Sequence, residues 1–228
     1  MAPLAQLEES IHSIRYPDGV IAVPGPYCPV PGQGFYPGGR GYRNASFPLG
    51  KVMYLGHNFD KLRGLRESVA RGYEENLTWR RIRDSIFPYL PEEHIWFTNY
   101  FMGVLVRDTN IGEITRTSTF AHFEEDCWNF FKLQVSLQKP RVIVALGKEV
   151  VRVLYPHNRL NIPSWQLGPS DTYGHLRLEA HDASIKSIEG DEHRFKLVAA
   201  YHPSFGRSAP QIATLIEDSK FIASLLKH

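Results

Sequence analysis

Two carboxamides, two imidazoles and a hydroxyl stand just past short apolar runs in this chain. His57 and Asn58 follow Gly56 after the run Lys51–Leu55, and Asn99 closes the run His94–Asn99. Gly147 and Lys148 follow Arg141–Leu146, while His202 and Ser204 follow Lys196–Tyr201. Each residue type suits one task. A carboxamide offers a carbonyl beside an NH₂, so it can complement the donor and acceptor edge of a planar heterocycle. An imidazole donor beside developing negative charge stabilises a leaving heteroaromatic anion, and removing such a donor costs ~3–4 kcal/mol. A serine hydroxyl, with backbone N–H groups at a helix start, can hold a phosphate. Together these groups describe a nucleobase pocket beside a phosphate clamp.

Each piece also has a plainer reading. An asparagine after a strand is commonly a turn residue, His-Pro-Ser is a common loop, and a lone histidine is usually structural. His57 and His202 could ligate a metal with Asp60, but no His-x-x-x-His type of spacing accompanies them. Cysteine catalysis is disfavoured because Cys127 falls on the core face of a helical pattern. His175, His181 and His193 lie in a polar stretch and read as solvated.

Strands and helices must bring the polar groups together. A strand covered on both faces reads as continuously apolar, and in open α/β sheets the chemistry gathers at the carboxyl ends of such strands. The runs at Lys51–Leu55, His94–Asn99, Arg141–Gly147 and Lys196–Tyr201 fit that description. If the four are parallel, as the helices between them imply, all their terminal groups reach one rim. The clearest helix is Phe120–Gln138, whose Phe120, Phe123, Cys127, Phe130, Phe131 and Gln134 share a side. A broken helix is expected over Lys61–Phe87, with Trp79, Ile82 and Ile86 as its stripe, and further helices over Lys148–Tyr155 and Pro210–Leu226. Leu4, Leu7, Ile11 and Ile14 suggest a short helix before Tyr16. Pro17–Gly50 is dense in proline and glycine, so no regular structure is expected there. The insertion from Asn158 to Phe195 (156–195 in outline) reads as hairpin-like, with His175–Ala180 alternating like an exposed strand.

With 228 residues the chain can bury one sizeable core, and a single domain over 1–228 is expected, its first 50 residues forming a helix and an arm. No apolar run approaches a bilayer span, and the N-terminus lacks a secretory pattern; a cytoplasmic, membrane-free and monomeric protein is expected. In that compartment a disulfide between Cys28 and Cys127 is disfavoured. A net charge of +2 does not announce nucleic acid, so any polyanion site must be local. Arg63/Arg66/Arg71 and Arg80/Arg81/Arg83 could supply one, although each cluster alone reads as a solvated helix face.

Leu55-Gly56-His57-Asn58, Phe97-Thr98-Asn99, Cys127 followed by Val142-Ile143-Val144-Ala145-Leu146-Gly147, and His202-Pro203-Ser204 occur in an order and at spacings that resemble the uracil-DNA glycosylase superfamily. The resemblance covers about Lys51 to Arg207. It implies a three-layer α/β/α fold around a central four-stranded parallel sheet, acting on a base flipped out of DNA that contains uracil or a damaged base. It places Asn58 where the family positions its water, Asn99 where it reads the pyrimidine edge, His202 where it stabilises the departing base, and Ser204 near a flanking phosphate. His57 and Phe59, beside Asn58, are then base-binding candidates with Asn99, and Lys148 and Arg207 join Ser204 as phosphate and DNA contacts. Phe205 or Arg207 stands where the family inserts a wedge into the duplex.

The departures from the family pattern concern chemistry. Phe59 replaces the proline that usually follows the catalytic position, and Asp60 replaces the residue that screens out thymine. A neutral Asn58 cannot take a proton from water, which removes a general-base contribution of ~10²–10⁴. Family members with an iron–sulfur cluster use four cysteines; Cys127 resembles one, Gly103 stands where another belongs, and no cofactor is expected. Three readings follow: a hydrolase that cleaves the N-glycosidic bond of a flipped base, a weak or inactive relative that binds nucleic acid or a nucleotide, and a hydrolase of small nucleosides.

Overall fold

The computed structural model describes residues 3–23, 49–59, 61–71, 77–106, 119–154, 160, 176–205 and 208–227. Strands β1 (Val20–Ile21), β2 (Val52–Gly56), β3 (Ile95–Asn99), β4 (Val104–Leu105), β5 (Val142–Leu146), β6 (His181–Lys186) and β7 (Glu192–Ala200) alternate with helices α1 (Pro3–Ile11), α2 (Leu62–Arg71), α3 (Leu77–Ser85), α4 (Phe120–Gln138), α5 (Lys148–Leu154) and α6 (Ala209–Leu225). Five strands form the main sheet, in the order β3-β2-β5-β7-β6.

Successive side chains on a strand face opposite ways, and here the two faces build two cores. Met53, Leu55, Trp96, Ile143, Ala145, Leu197 and Ala199 join Leu7, Phe123, Phe131, Val150 and Leu154, contributed by α1, α4 and α5. Val52, Tyr54, Phe97, Val142, Val144, Val198 and Ala200 join Trp79 and Ile82 of α3 and Ile222 of α6. The result is the expected three-layer α/β/α arrangement. β2, β3, β5 and β7 are mutually parallel, as expected from the sequence.

The sequence reading needs correction at the sheet's edge. The sheet is not purely parallel, because β6 pairs antiparallel with β7 and adds a fifth strand. The exposed strand expected at His175–Ala180 lies further on, at His181–Lys186. Leu178 takes a left-handed φ of 59°, which breaks the extended chain before β6 can start. Ala183 and Ile185 then face inward opposite Phe195 and His193, and this hairpin extends β7 back to Glu192. His193 is accordingly not simply solvated, since its Nε2 lies 2.8 Å from the Pro140 carbonyl oxygen.

A second correction concerns the proline- and glycine-rich region. Residues 24–48 lie outside the described residues, but β1 forms within the stretch expected to be irregular, pairing with β4 as a small antiparallel sheet. Gly19, at φ 85°, makes the turn that lets the chain fold back. Tyr16 donates its hydroxyl to the Met102 carbonyl at 3.1 Å, and Arg15 forms a bidentate pair with Asp126 of α4 at 2.8 Å. Among the described residues no helix is long and apolar enough to cross a membrane.

The helices end where local chemistry requires. α4 stops at Lys139, left-handed at φ 48°, whose N–H still reaches the Val135 carbonyl; Pro140 cannot continue the helix. α6 opens on a capping box in which Ser208 and Gln211 satisfy each other's backbone N–H groups. Because β5 lies between β2 and β7 and is covered on both faces, its side chains are the best test of this packing. Ile143→Ala should cost ~2–5 kcal/mol, read as a lowered denaturant midpoint at unchanged slope.

Candidate active site

Register brings the polar groups to one level. Gly56 of β2 lies opposite Asn99 of β3, Leu55 opposite Ala145 of β5, and Leu146 opposite Ala200 of β7. The four parallel strands therefore finish side by side, and the residues beyond them emerge on one edge. Tyr100 donates its N–H to the Gly56 carbonyl at 2.8 Å and Phe101 to that of His57 at 2.9 Å, so the exits of β2 and β3 are tied together. Gly147 donates to the Ala200 carbonyl at 2.9 Å, which does the same for β5 and β7.

Asn99 is 1% exposed, and neither its Nδ2 nor its Oδ1 has a hydrogen-bond partner. Among the described residues it is the only side chain with two such buried orphan atoms. A buried donor or acceptor left unmade costs ~1–3 kcal/mol, so a planar group presenting an acceptor beside a donor would recover that cost. Gly56 makes room for the amide: a Cβ at that position would overlap Asn99 Oδ1.

His202 packs beside Gly147, where an added Cβ would meet the histidine Cβ at 3.6 Å. Its Nδ1 accepts the Ser204 backbone N–H at 3.2 Å and lies 2.7 Å from the Ser204 hydroxyl. With the backbone donating to it, Nδ1 is an acceptor, so in the neutral ring the proton sits on Nε2. Burial, and then the neighbouring His57, push the His202 pKa down to about 4. The ring is therefore neutral near pH 7 and carries its N–H on Nε2. His57 is also pushed down by burial, partly offset by Glu149, and it meets the Phe101 ring edge-on at 5.2 Å. Asn58, half-buried, follows His57 at the same exit.

The sequence-predicted residues thus divide. His57, Asn58, Asn99, His202, Ser204 and Lys148 come together on one edge through the strand ends. Phe59 is buried in the core shared with α1 and α4. Asp60 and Arg207 lie outside the described residues. Ser204, expected at a phosphate, places its hydroxyl 2.7 Å from His202 Nδ1. Arg81, expected on a solvated face, is 9% exposed and donates from Nη1 to the carbonyls of Pro203 and Ser204 at 3.1 and 2.9 Å. Sequence reasoning also missed Arg177 and Asp218. Asp218 accepts the Tyr201 N–H at 3.1 Å, next to His202, and holds Arg177 at 2.7 Å. A cavity of about 700 Å³ lies elsewhere, between α4 and the β6–β7 turn, and touches none of these residues.

Among the described residues no three His, Cys, Asp or Glu side chains gather as a metal site. The positions that would hold an iron–sulfur cluster do not fit one. A Cβ at Gly103 would run into Val20, with Phe123 and Tyr16 at 3.2 and 3.3 Å. Cys127 is buried, its thiol is pushed up to about 12, and its Sγ accepts the Met102 N–H at 3.4 Å. Such a sulfur is a packed thiol.

A mostly parallel sheet flanked by helices on both faces, with its polar groups collected at the carboxyl edge, defines the α/β class that binds ligands there. The match is specific: the chain belongs to the uracil DNA glycosylase superfamily, which it matches over residues 53–222. No curated protein matches it.

The His202 assignment predicts a pH effect. Because the folded pKa lies below the ordinary value near 6.5, only the unfolded chain binds the proton between about 4 and 6.5, and acidification through that window destabilises the fold. Denaturation midpoints measured at steps of pH should fall across it, and His202→Gln should flatten the slope. Nitrogen-15 NMR of the imidazole should show Nε2 protonated at neutral pH.

Proposed function

We propose that this protein hydrolyses the N-glycosidic bond of a flipped uracil or a related damaged base in DNA. The observation that carries this reading is the buried Asn99 amide with both polar atoms unmet, on the same sheet edge as a neutral His202. Uracil offers an acceptor and a donor side by side on its pairing edge, which matches that amide. Family membership supports the reaction class.

In the proposed reaction Asn99 orients the base and Asn58 holds a water by hydrogen bonding. As the bond from the sugar to the base nitrogen breaks, its electron pair leaves with the base, and charge builds on the ring and its carbonyl oxygen. The His202 Nε2–H donates to that oxygen. A neutral donor is suitable here, because it stabilises the anion without losing its own proton. Water adds to the sugar carbon, and its proton passes to solvent or to the departing base, since Asn58 cannot accept it. His57 walls the site beside Asn58, and Lys148, at the start of α5, can meet a nearby phosphate.

A second reading, a non-cleaving binder of nucleic acid or nucleotide, is favoured by the neutral Asn58 and the near-neutral net charge of +2. Oligonucleotides carrying uracil or a mismatch, followed by cleavage at any abasic site, separate the two. Product with wild type, and a loss of about 10²–10³-fold in His202→Ala, supports the glycosylase. Salt-dependent binding without product, together with a gain of activity in Asn58→Asp, supports the binder. Gly56→Ala is an independent check. The added methyl must displace the Asn99 amide, so cleavage should fall by about 10²-fold, the loss a ~1 Å misplacement produces. Activity unchanged in that variant would remove Asn99 from base recognition.

A further inference from the structure

His202 lies on a short connection held on one side by a carboxylate that an arginine clamps and on the other by a guanidinium, none of which belongs to the rim or the base-reading residues. On one side, Asp218 of α6, 4% exposed, accepts the backbone N–H of Tyr201 through Oδ2 at 3.1 Å. Its Oδ1 accepts Nε and Nη2 of Arg177 at 2.8 and 2.7 Å. Arg177 also reaches Glu217 Oε2 at 3.2 Å, stands 4.9 Å above the Tyr201 ring, and forms a backbone bridge with Ala199. On the other side, Arg81 of α3 donates from Nη1 to the carbonyls of Pro203 and Ser204. The residues immediately before and after His202 are thereby pinned to two different helices.

Stability alone is a weak reason for such an arrangement. A buried ion pair repays its desolvation poorly, and apolar replacements of similar volume are often neutral or stabilising. What the pair and the second arginine supply, and an apolar cluster could not, is a set of directed bonds to three backbone groups, those of residues 201, 203 and 204, on either side of one side chain. A guanidinium is suited to this because its donors are held in a rigid plane.

We propose that Arg81 and the Arg177–Asp218 pair are positioning residues that fix the height and tilt of His202 relative to the base; this rests on the glycosylase reading above. They act through the backbone of residues 201, 203 and 204.

The test uses the full chain and two independent changes. Arg81→Met removes the donors while keeping an apolar stem, and Arg81→Lys restores one donor. The double change Arg177→Met with Asp218→Leu removes the ion pair without leaving a buried unpaired charge. Two measurements are made: single-turnover cleavage of a uracil oligonucleotide with enzyme in excess, and the nitrogen-15 resonances of His202. Both altered proteins are expected to bind the oligonucleotide with unchanged half-saturation and to cleave it about 10–100-fold more slowly. The His202 Nδ1 signal should move in each, and Arg81→Lys should recover part of both readouts. Cleavage within twofold of wild type with unmoved His202 resonances in a folded variant overturns the proposal. So does failure of every variant to fold, which would assign these residues to stability alone. If the wild type cleaves nothing, the glycosylase reading fails separately, and the His202 resonances still decide whether these groups position the ring.

Discussion

The molecule depends on one registration. β2, β3, β5 and β7 run parallel and finish level, and this brings residues over a hundred positions apart in the chain to a common edge. The same alternation that sends Met53 to one core and Val52 to the other fixes how far each strand advances before it releases a polar group. A slip of one residue in any strand would exchange its two faces and also misplace its terminal side chain. Packing energy therefore enforces the geometry of the edge.

At that edge the design is economical in charge. Burial holds both imidazoles toward the neutral form, His57 adds to the effect on His202, and the backbone N–H of Ser204 selects the tautomer of His202. The carboxamide of Asn99 fills the space left by the missing side chain of Gly56. Among Asn58, Asn99, His57 and His202 there is no carboxylate. On the glycosylase proposal, such a site would work by directed donors held in low-dielectric surroundings, where each hydrogen bond is stronger than in water, with little of the task left to proton abstraction.

Much of this was legible in the sequence because it is written in short-range periodicity. Four apolar runs, each ending in glycine, asparagine or histidine, gave the parallel strands and their exits. The stripe from Phe120 to Gln134 gave α4, and Trp79, Ile82 and Ile86 gave α3. The failures share a cause. Leu178 adopts a conformation that no local pattern requires, so β6 was sought too early in the chain. Arg81 stands among arginines that do face solvent, and its partners are more than 120 residues away. The Arg177–Asp218 pair likewise links a polar insertion to the closing helix. Directed contacts between distant polar groups leave no periodic trace, and only the positions of Arg81 and Ser85, four apart and bordering the apolar stripe of α3, hinted that one of these arginines turns inward.

The small sheet made by β1 and β4 has a consequence for where this protein begins as a physical object. Family likeness starts at residue 53, yet Leu7, Ile14 and Val20 are sealed inside the same core as Phe123 and Cys127, and Val20 fills the hollow over Gly103. The leading segment is thus a stopper seated in the body. A boundary drawn by likeness alone would uncork the molecule, leaving a greasy socket along α4 open to water.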